Sequence, residues 1–122
     1  MHFMSLTIRT KQTPFRVSLN RKEPTELFVS IQNPGPDTEM ASLILETGGG
    51  LGLDATGLHQ SHQYRMNEIA PGKTKELYIK LFAKPNADYG ENPFRLTLIE
   101  HFGNWNLVKK KTVLDESVLV QR

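Results

Sequence analysis

Between the Pro71-Gly72 dipeptide and Pro85 the chain alternates with period two. Leu77, Ile79, Leu81 and Ala83 fall on one face, and Glu76, Tyr78, Lys80 and Phe82 fall on the other. Such alternation marks a strand with one face on a core and one face in water. Pro-Gly supplies the turn that opens the run, and Pro85, with no amide hydrogen to give a ladder, closes it. A half-buried strand cannot stand alone, so the other apolar runs must be arranged to cover it.

Those runs have the same period. Leu27, Val29 and Ile31 alternate with Phe28, Ser30 and Gln32, and the run stops at Asn33-Pro34-Gly35-Pro36-Asp37, a rigid connection. Phe94, Leu96 and Leu98 alternate with Arg95, Thr97 and Ile99. Met4, Leu6 and Ile8, then Phe15, Val17 and Leu19 after a polar break at 11–14, read as one edge segment in two pieces. Residues 38–47 fit a strand with Ala41, Leu43 and Leu45 inward. They also fit a helix with Met40, Leu43, Ile44 and Thr47 on one side, capped by Asp37 or Thr38 and by Gly48. The strand is preferred because every neighbouring segment has period two. Residues 48–54 read as a flexible glycine-rich loop, 58–69 as a more polar strand, and 86–93 as a loop. In the last ribbon Leu107 and Val113 share one parity and Val108 and Leu114 the other, a conflict that a bulge at Lys109-Lys110-Lys111 would resolve.

Seven or eight short strands separated by turns predict an all-β fold: a two-sheet antiparallel sandwich forming a single domain over residues 1–122. With 122 residues, 38% of them hydrophobic, a thin two-layer core fits better than a helical bundle. The absence of cysteine excludes disulfides, thiolate chemistry and zinc–cysteine sites. A net charge of +2 is mild for a nucleic-acid binder. No run is long enough to span a membrane as a helix. The opening Met-His-Phe-Met-Ser-Leu lacks the pattern of a signal peptide, and a cytoplasmic location is expected if Met1 or Met4 is the native start.

Three stretches resemble bacterial and archaeal immunoglobulin-like modules of the cell-adhesion-related type. Thr25 to Gly35 looks like their strand followed by Asn-x-Gly. Ile69 to Leu77 is similar to their Pro-Gly entry into a strand. Tyr89-Gly90 with Phe94 to Leu98 resembles their penultimate strand. The resemblance spans about residues 15–114. It implies an immunoglobulin-like sandwich with an adhesion or spacer role, and it brings no catalytic residues.

Candidate sites are few. His59 and His62 lie three apart, so on a strand they face opposite ways and suit a shared metal poorly. Gly48 to Gly52 lacks the Gly-Lys-Ser/Thr ending and the helix that a phosphate cradle needs. Lys109, Lys110 and Lys111 beside Trp105, Phe102 and His101 could offer single-stranded nucleic acid a basic-aromatic surface, but lysines on an edge strand also protect against edge-to-edge aggregation. Trp105 reads as a core plug, with a ligand platform as the alternative. No serine lies in a Gly-x-Ser-x-Gly elbow.

The expectation is a non-enzymatic protein-interaction or structural module without cofactor or metal. The alternative is a domain binding carbohydrate or single-stranded nucleic acid near Trp105; nucleic acid is the less favoured of the two. Outward Phe28 and Phe82 would share a sheet and form an apolar patch, with Ile99 apart on the other sheet. The patch would be covered by a second copy in a homodimer or by Phe3 to Ile8.

Overall fold

The period-two runs fold as strands in a computed structural model that describes residues 5–21, 23–54, 56 and 58–122. In chain order they are β1 (Thr7–Thr13), β2 (Arg16–Ser18), β3 (Thr25–Gln32), β4 (Glu39–Thr47), β5 (Leu51–Gly52), β6 (Ser61–Ile69), β7 (Thr74–Ala83), β8 (Gly90–His101) and β9 (Val108–Gln121). Sheet I has the order β1-β3-β7-β5, and sheet II the order β2-β9-β8-β4-β6. Every pairing is antiparallel except that of β2 with β9, which is parallel. The described residues contain no helix.

The apolar parities meet between the sheets. Leu27, Val29 and Ile31 of β3, Ala41, Leu43 and Leu45 of β4, Leu81 of β7 and Leu96 of β8 are fully buried. Leu27 stands opposite Ile79 across the β3–β7 ladder, and Leu43 stands opposite Leu98 across β4–β8. Burial of each such large side chain contributes about 1.5–3 kcal/mol. Residues 38–47 are strand from Glu39 onward, because only the strand parity puts Ala41, Leu43 and Leu45 inside together.

The N-terminal part departs from expectation. β1 does not break at Lys11 but runs on to Thr13, because its inward polar side chains find partners on the other sheet. Thr10 Oγ1 donates to the Glu116 carboxylate (2.5 Å) and the Gln12 amide to the Ser117 carbonyl (2.8 Å), which ties sheet I to sheet II. After Pro14 the chain changes sheets, so Arg16–Ser18 is not a continuation of the same edge but pairs with β9, with Val17 only 3% exposed. Leu6 is buried in the core and Ile8 packs against it, so this segment does not cover the outer face of sheet I. Phe3 and Met4 lie outside the described residues.

The glycine-rich segment contributes a short strand, β5, rather than a free loop, which brings the described strands to nine against the seven or eight expected. Leu51 is fully buried and pairs with Ala83 of β7. The Gly48 amide donates to the Pro93 carbonyl (2.9 Å). A Cβ on Gly50 would come within 2.0 Å of Asn92 Oδ1. Asn92 is itself buried, with its amide donating to the Asp88 carbonyl at 2.8 Å. Strand β8 starts at Gly90, so Asn92 and Pro93 are ladder residues, not loop. At the other end of the β8–β9 ladder the register slips between Glu100, which pairs with Lys110, and His101, which pairs with Val108. Lys109 is the extra residue. This bulge leaves Val108 and Val113 both exposed while Leu114 packs against the core, as the parity conflict requires.

Candidate functional site

At the far end of β8 the alternation of burial stops, and Leu98, Ile99, Glu100 and His101 are all buried. Both faces of sheet II are therefore covered there. On the inner side the Leu6 amide donates to Glu100 Oε1 (3.0 Å). On the outer side the ladders set Arg65 of β6, Ser42 of β4, Ile99 of β8 and Lys111 of β9 in one row, with Met40 and His101 in the next.

The β8–β9 connection folds back over that outer face. Its turn is held by Phe102 N to Leu107 O (3.1 Å), Leu107 N to Asn104 O (3.0 Å) and Asn106 N to Asn104 Oδ1 (2.8 Å). It sets Trp105 edge-on to His101, with ring centroids 5.1 Å apart, and places the Arg65 guanidinium 4.9 Å above the indole. Trp105 is thus half-buried on the outside of sheet II and not a core plug. The end of the sandwich it would have filled is taken by Leu6 and the Glu100 carboxylate. Ile99 does face outward, but it is 9% exposed and not on a wet surface.

Beneath Trp105, Ser42 Oγ lies 2.8 Å from His101 Nε2. A serine nucleophile needs a histidine base oriented by a third group, and a path for substrate. Here His101 Nδ1 is buried with no hydrogen-bond partner among the described residues. Ser42 is fully buried and His101 is 5% exposed. The pair is chemically a buried polar contact under an aromatic lid. Beside it, Lys109 Nζ reaches the buried Glu39 carboxylate (2.7 Å) and lies 5.5 Å from the Phe102 ring centroid. Glu39, Asn67, Glu68, His101, Phe102 and Lys109 are among the residues lining a cleft of about 510 Å³.

The remaining predicted site residues separate. Lys110 Nζ bonds Ser5 Oγ (2.7 Å), and Lys111 stands opposite Ile99, so the three lysines make no single patch. Phe28 and Phe82 lie on neighbouring strands of sheet I, as expected. Phe28, however, sits opposite Tyr78, with centroids 5.1 Å apart, and the charged Glu26–Lys80 row comes between it and Phe82. Both phenylalanines are half-buried. His59 contacts the Asp54 carboxylate, whereas His62 packs edge-on to Tyr64 at 4.5 Å, so the two histidines take different partners. Among the described residues no three His, Cys, Asp or Glu side chains are grouped to hold a metal ion.

Sequence reasoning missed Ser42, Arg65 and Glu39. Strand parity puts Ser42 and Arg65 on an outward face, but only the inter-strand register brings them under one loop. It also missed how much apolar surface the β8–β9 hairpin leaves in water: Phe102 is 53% exposed, Leu107 54%, Val108 46% and Val113 50%.

No protein-family model matches the chain, and no curated protein matches it. Solved structures do. BslA, described as a bacterial hydrophobin, is similar at 13% identity over 100% of this chain and 99% of its own, with a TM-score of 0.52. A FixG-related protein from Vibrio parahaemolyticus is similar at 13% identity over 97% of this chain and 96% of its own, with a TM-score of 0.49. MyfA, the major subunit of Myf fimbriae from Yersinia enterocolitica, is similar at 15% identity over 98% of this chain and all of its own (100%), with a TM-score of 0.46. At 13% identity the likeness to BslA is one of fold alone.

Proposed function

We propose that the chain is a non-enzymatic interaction module built on an immunoglobulin-like sandwich, and that it meets a protein partner through the exposed apolar side of its β8–β9 hairpin. The observation that carries this is concentration. Of the large hydrophobic residues exposed among the described residues, Phe15, Leu58, Tyr78 and Tyr89 are scattered, whereas Phe102, Leu107, Val108 and Val113 share one hairpin. Single exposed apolar residues are ordinary, but a cluster marks a contact surface. Lys111 and the Arg95–Asp115 pair supply a polar rim around it, the usual anatomy of an interface.

The strand order supports the immunoglobulin-like part. β1-β3-β7-β5 corresponds to the A-B-E-D sheet of that fold, and β9-β8-β4 to the facing G-F-C strands. The buried Ser42–His101 pair, with no group orienting His101 Nδ1 among the described residues, supports the non-enzymatic part. The hairpin contributes a face rather than an edge. Lysines and a bulge line the stretch of β9 that β2 leaves unpaired, and both discourage strand addition there.

A photo-crosslinking residue at position 113, compared with one at Lys75 on sheet I, tests this in the cells that make the protein. A discrete adduct is expected at position 113 and not at 75, and it should be lost on Leu107→Asp. Equal labelling at both positions, or adducts indifferent to Leu107→Asp, would refute the hairpin as the contact. Turnover of a substrate that disappears on Ser42→Ala would refute the non-enzymatic reading.

A further inference from the structure

The two sheets end in edges that differ in how they are guarded. β1 presents Arg9 and Lys11 and is followed by Pro14. β5 has 2 residues and β2 has 3, too short to template another strand. The open stretch of β9 carries three consecutive lysines and the bulge at Lys109. These are the devices by which proteins keep strand edges from pairing. β6, the other edge of sheet II, is 9 residues long and contains no lysine, proline or glycine. Its ladder to β4 slips between Glu39 and Ala41, which sets Asn67 and Glu68 out of register but leaves Ser61–Met66 regular. Its one arginine is not spread along the edge either. Arg65 is drawn back over the sheet by Trp105, 4.9 Å beneath its guanidinium.

We propose that β6 is a self-association edge, and that two copies of this chain pair β6 with β6 antiparallel about a two-fold axis, joining two copies of sheet II into one continuous sheet. This deepens the interaction reading by naming a partner, but it uses the side of the sheet remote from β9, so the two can fail separately.

The occupant follows from the strand itself. Any strand can pair antiparallel with its own copy, and the question is whether a register exists without opposed charges. Antiparallel partners must share an orientation of their main-chain groups, so the axis passes through a residue and not between two. An axis at Arg65 would set guanidinium against guanidinium, which is destabilising. An axis at Met66 runs into the irregular Asn67 and Glu68. An axis at Tyr64 pairs Tyr64 with its copy, Gln63 with Arg65 of the copy and His62 with Met66 of the copy. No like charges meet. Tyr64, half-buried against the core, and Met66, 7% exposed, then continue the inner face of the sheet across the axis. The net charge of +2 offers little long-range repulsion between copies. Main-chain hydrogen bonds supply the attachment, and the alternate side chains supply the register.

The register makes Gln63 the discriminating position. It is exposed on the outer face, so changing it leaves the fold intact. Each dimer sets Gln63 opposite Arg65 of the copy twice, and a charge at position 63 competes with Trp105 for that guanidinium. Gln63→Glu converts both into opposite-charge pairs, and Gln63→Lys into like-charge pairs. Sedimentation velocity over a series from micromolar to millimolar should show a weak wild-type dimer. Gln63→Glu should tighten it about tenfold, from two cross-strand pairs at the usual strength of such contacts. Gln63→Lys should loosen it by a similar factor. Hydrogen exchange should slow with concentration at alternate amides of 61–66. A wild type that stays monomeric across the series overturns the proposal. So does a dimer indifferent to both substitutions, or one that dissociates on Phe28→Asp instead. Loosening by both Gln63→Glu and Gln63→Lys would overturn the Tyr64 register.

Discussion

Truncating Ile79 tests the assignment of faces on which the whole sandwich rests. Ile79 is 5% exposed in the middle of β7 and faces Leu27 of β3. Ile79→Ala removes three carbons from that site. At about 0.8 kcal/mol per buried methylene this loses roughly 2.4 kcal/mol of transfer free energy. A residual cavity of about 50 Å³ would add about 1.2 kcal/mol at roughly 24 cal/mol per Å³. The expected loss is therefore about 2.4–3.6 kcal/mol, with the upper value holding if the walls stay in place. Tyr78, the next residue, points the other way and is 63% exposed. Tyr78→Ala forfeits mainly its ring contact with Phe28, worth about 0.5–1.5 kcal/mol. Urea unfolding of both variants measures the difference. With a slope near 1.5 kcal/mol per M, Ile79→Ala should lower the midpoint by about 2 M, and Tyr78→Ala by less than about 1 M, at unchanged slope. Equal or reversed shifts would refute the face assignment.

Gly50→Ala should cost about 1–3 kcal/mol in the same urea assay, because its Cβ collides with the buried, hydrogen-bonded Asn92 amide. Gly49→Ala, which meets nothing within 4 Å, is the matched control and should be near neutral. The Tyr78 phenol should titrate above free tyrosine. The charge of Glu76 disfavours the phenolate, and its carboxylate accepts the phenol hydrogen bond at 3.3 Å. Ultraviolet titration should show Glu76→Gln lowering that midpoint. The Asp115 carboxyl should titrate below the usual aspartate range, chiefly because Arg95 Nε donates to it at 2.6 Å. A depressed folded-state value means that the contribution of this pair to stability is present above the unfolded-state value and is lost as pH falls through the folded one. The pair is exposed, so the effect on stability is small and the carboxyl chemical shift is the measurement of choice, with Arg95→Gln restoring the ordinary value.

What the sequence makes legible is the face each residue takes along its own strand. β3, β7 and the first part of β8 carry clean alternation, and their inward residues are buried or packed against the core. The parity conflict around the three lysines locates the bulge correctly at Lys109. What periodicity cannot supply is register and sheet membership. Phe28 and Phe82 do share a face of neighbouring strands, yet four residues of offset and the Glu26–Lys80 row keep them apart. Residues 11–14 read as a polar break, and only the bonds of Thr10 and Gln12 to Glu116 and Ser117 reveal that β1 runs on to Thr13 and faces β9 across the core. The outer cluster was hidden for a related reason. Ser42, Arg65 and His101 are polar and read as wet, and their burial or cover depends on a loop from the far end of the sheet folding back over them.

The motifs behind the immunoglobulin-like resemblance have a physical explanation in this fold. Asn33, fully buried, donates its side-chain amide to the Asp37 carbonyl (2.6 Å) and the Ile69 carbonyl (2.8 Å), and its Oδ1 accepts from the Gly35 amide (3.0 Å). Its main chain also accepts from Gly72 (2.8 Å) and donates to Lys73 (2.9 Å). One residue therefore shapes the β3–β4 connection and pins it to the Pro71-Gly72 turn, where the chain passes from β6 of sheet II to β7 of sheet I. Gly72 occupies the turn at a φ of 75°, which glycine adopts without strain. The Asn-x-Gly and Pro-Gly stretches are thus two halves of one hydrogen-bonded device, and a chain that keeps one has reason to keep the other. A buried amide whose hydrogen bonds all run to main chain offers nothing to a ligand or a substrate. The shared pattern accordingly speaks for how the sheets are joined, and the function has to be sought on the surfaces they present.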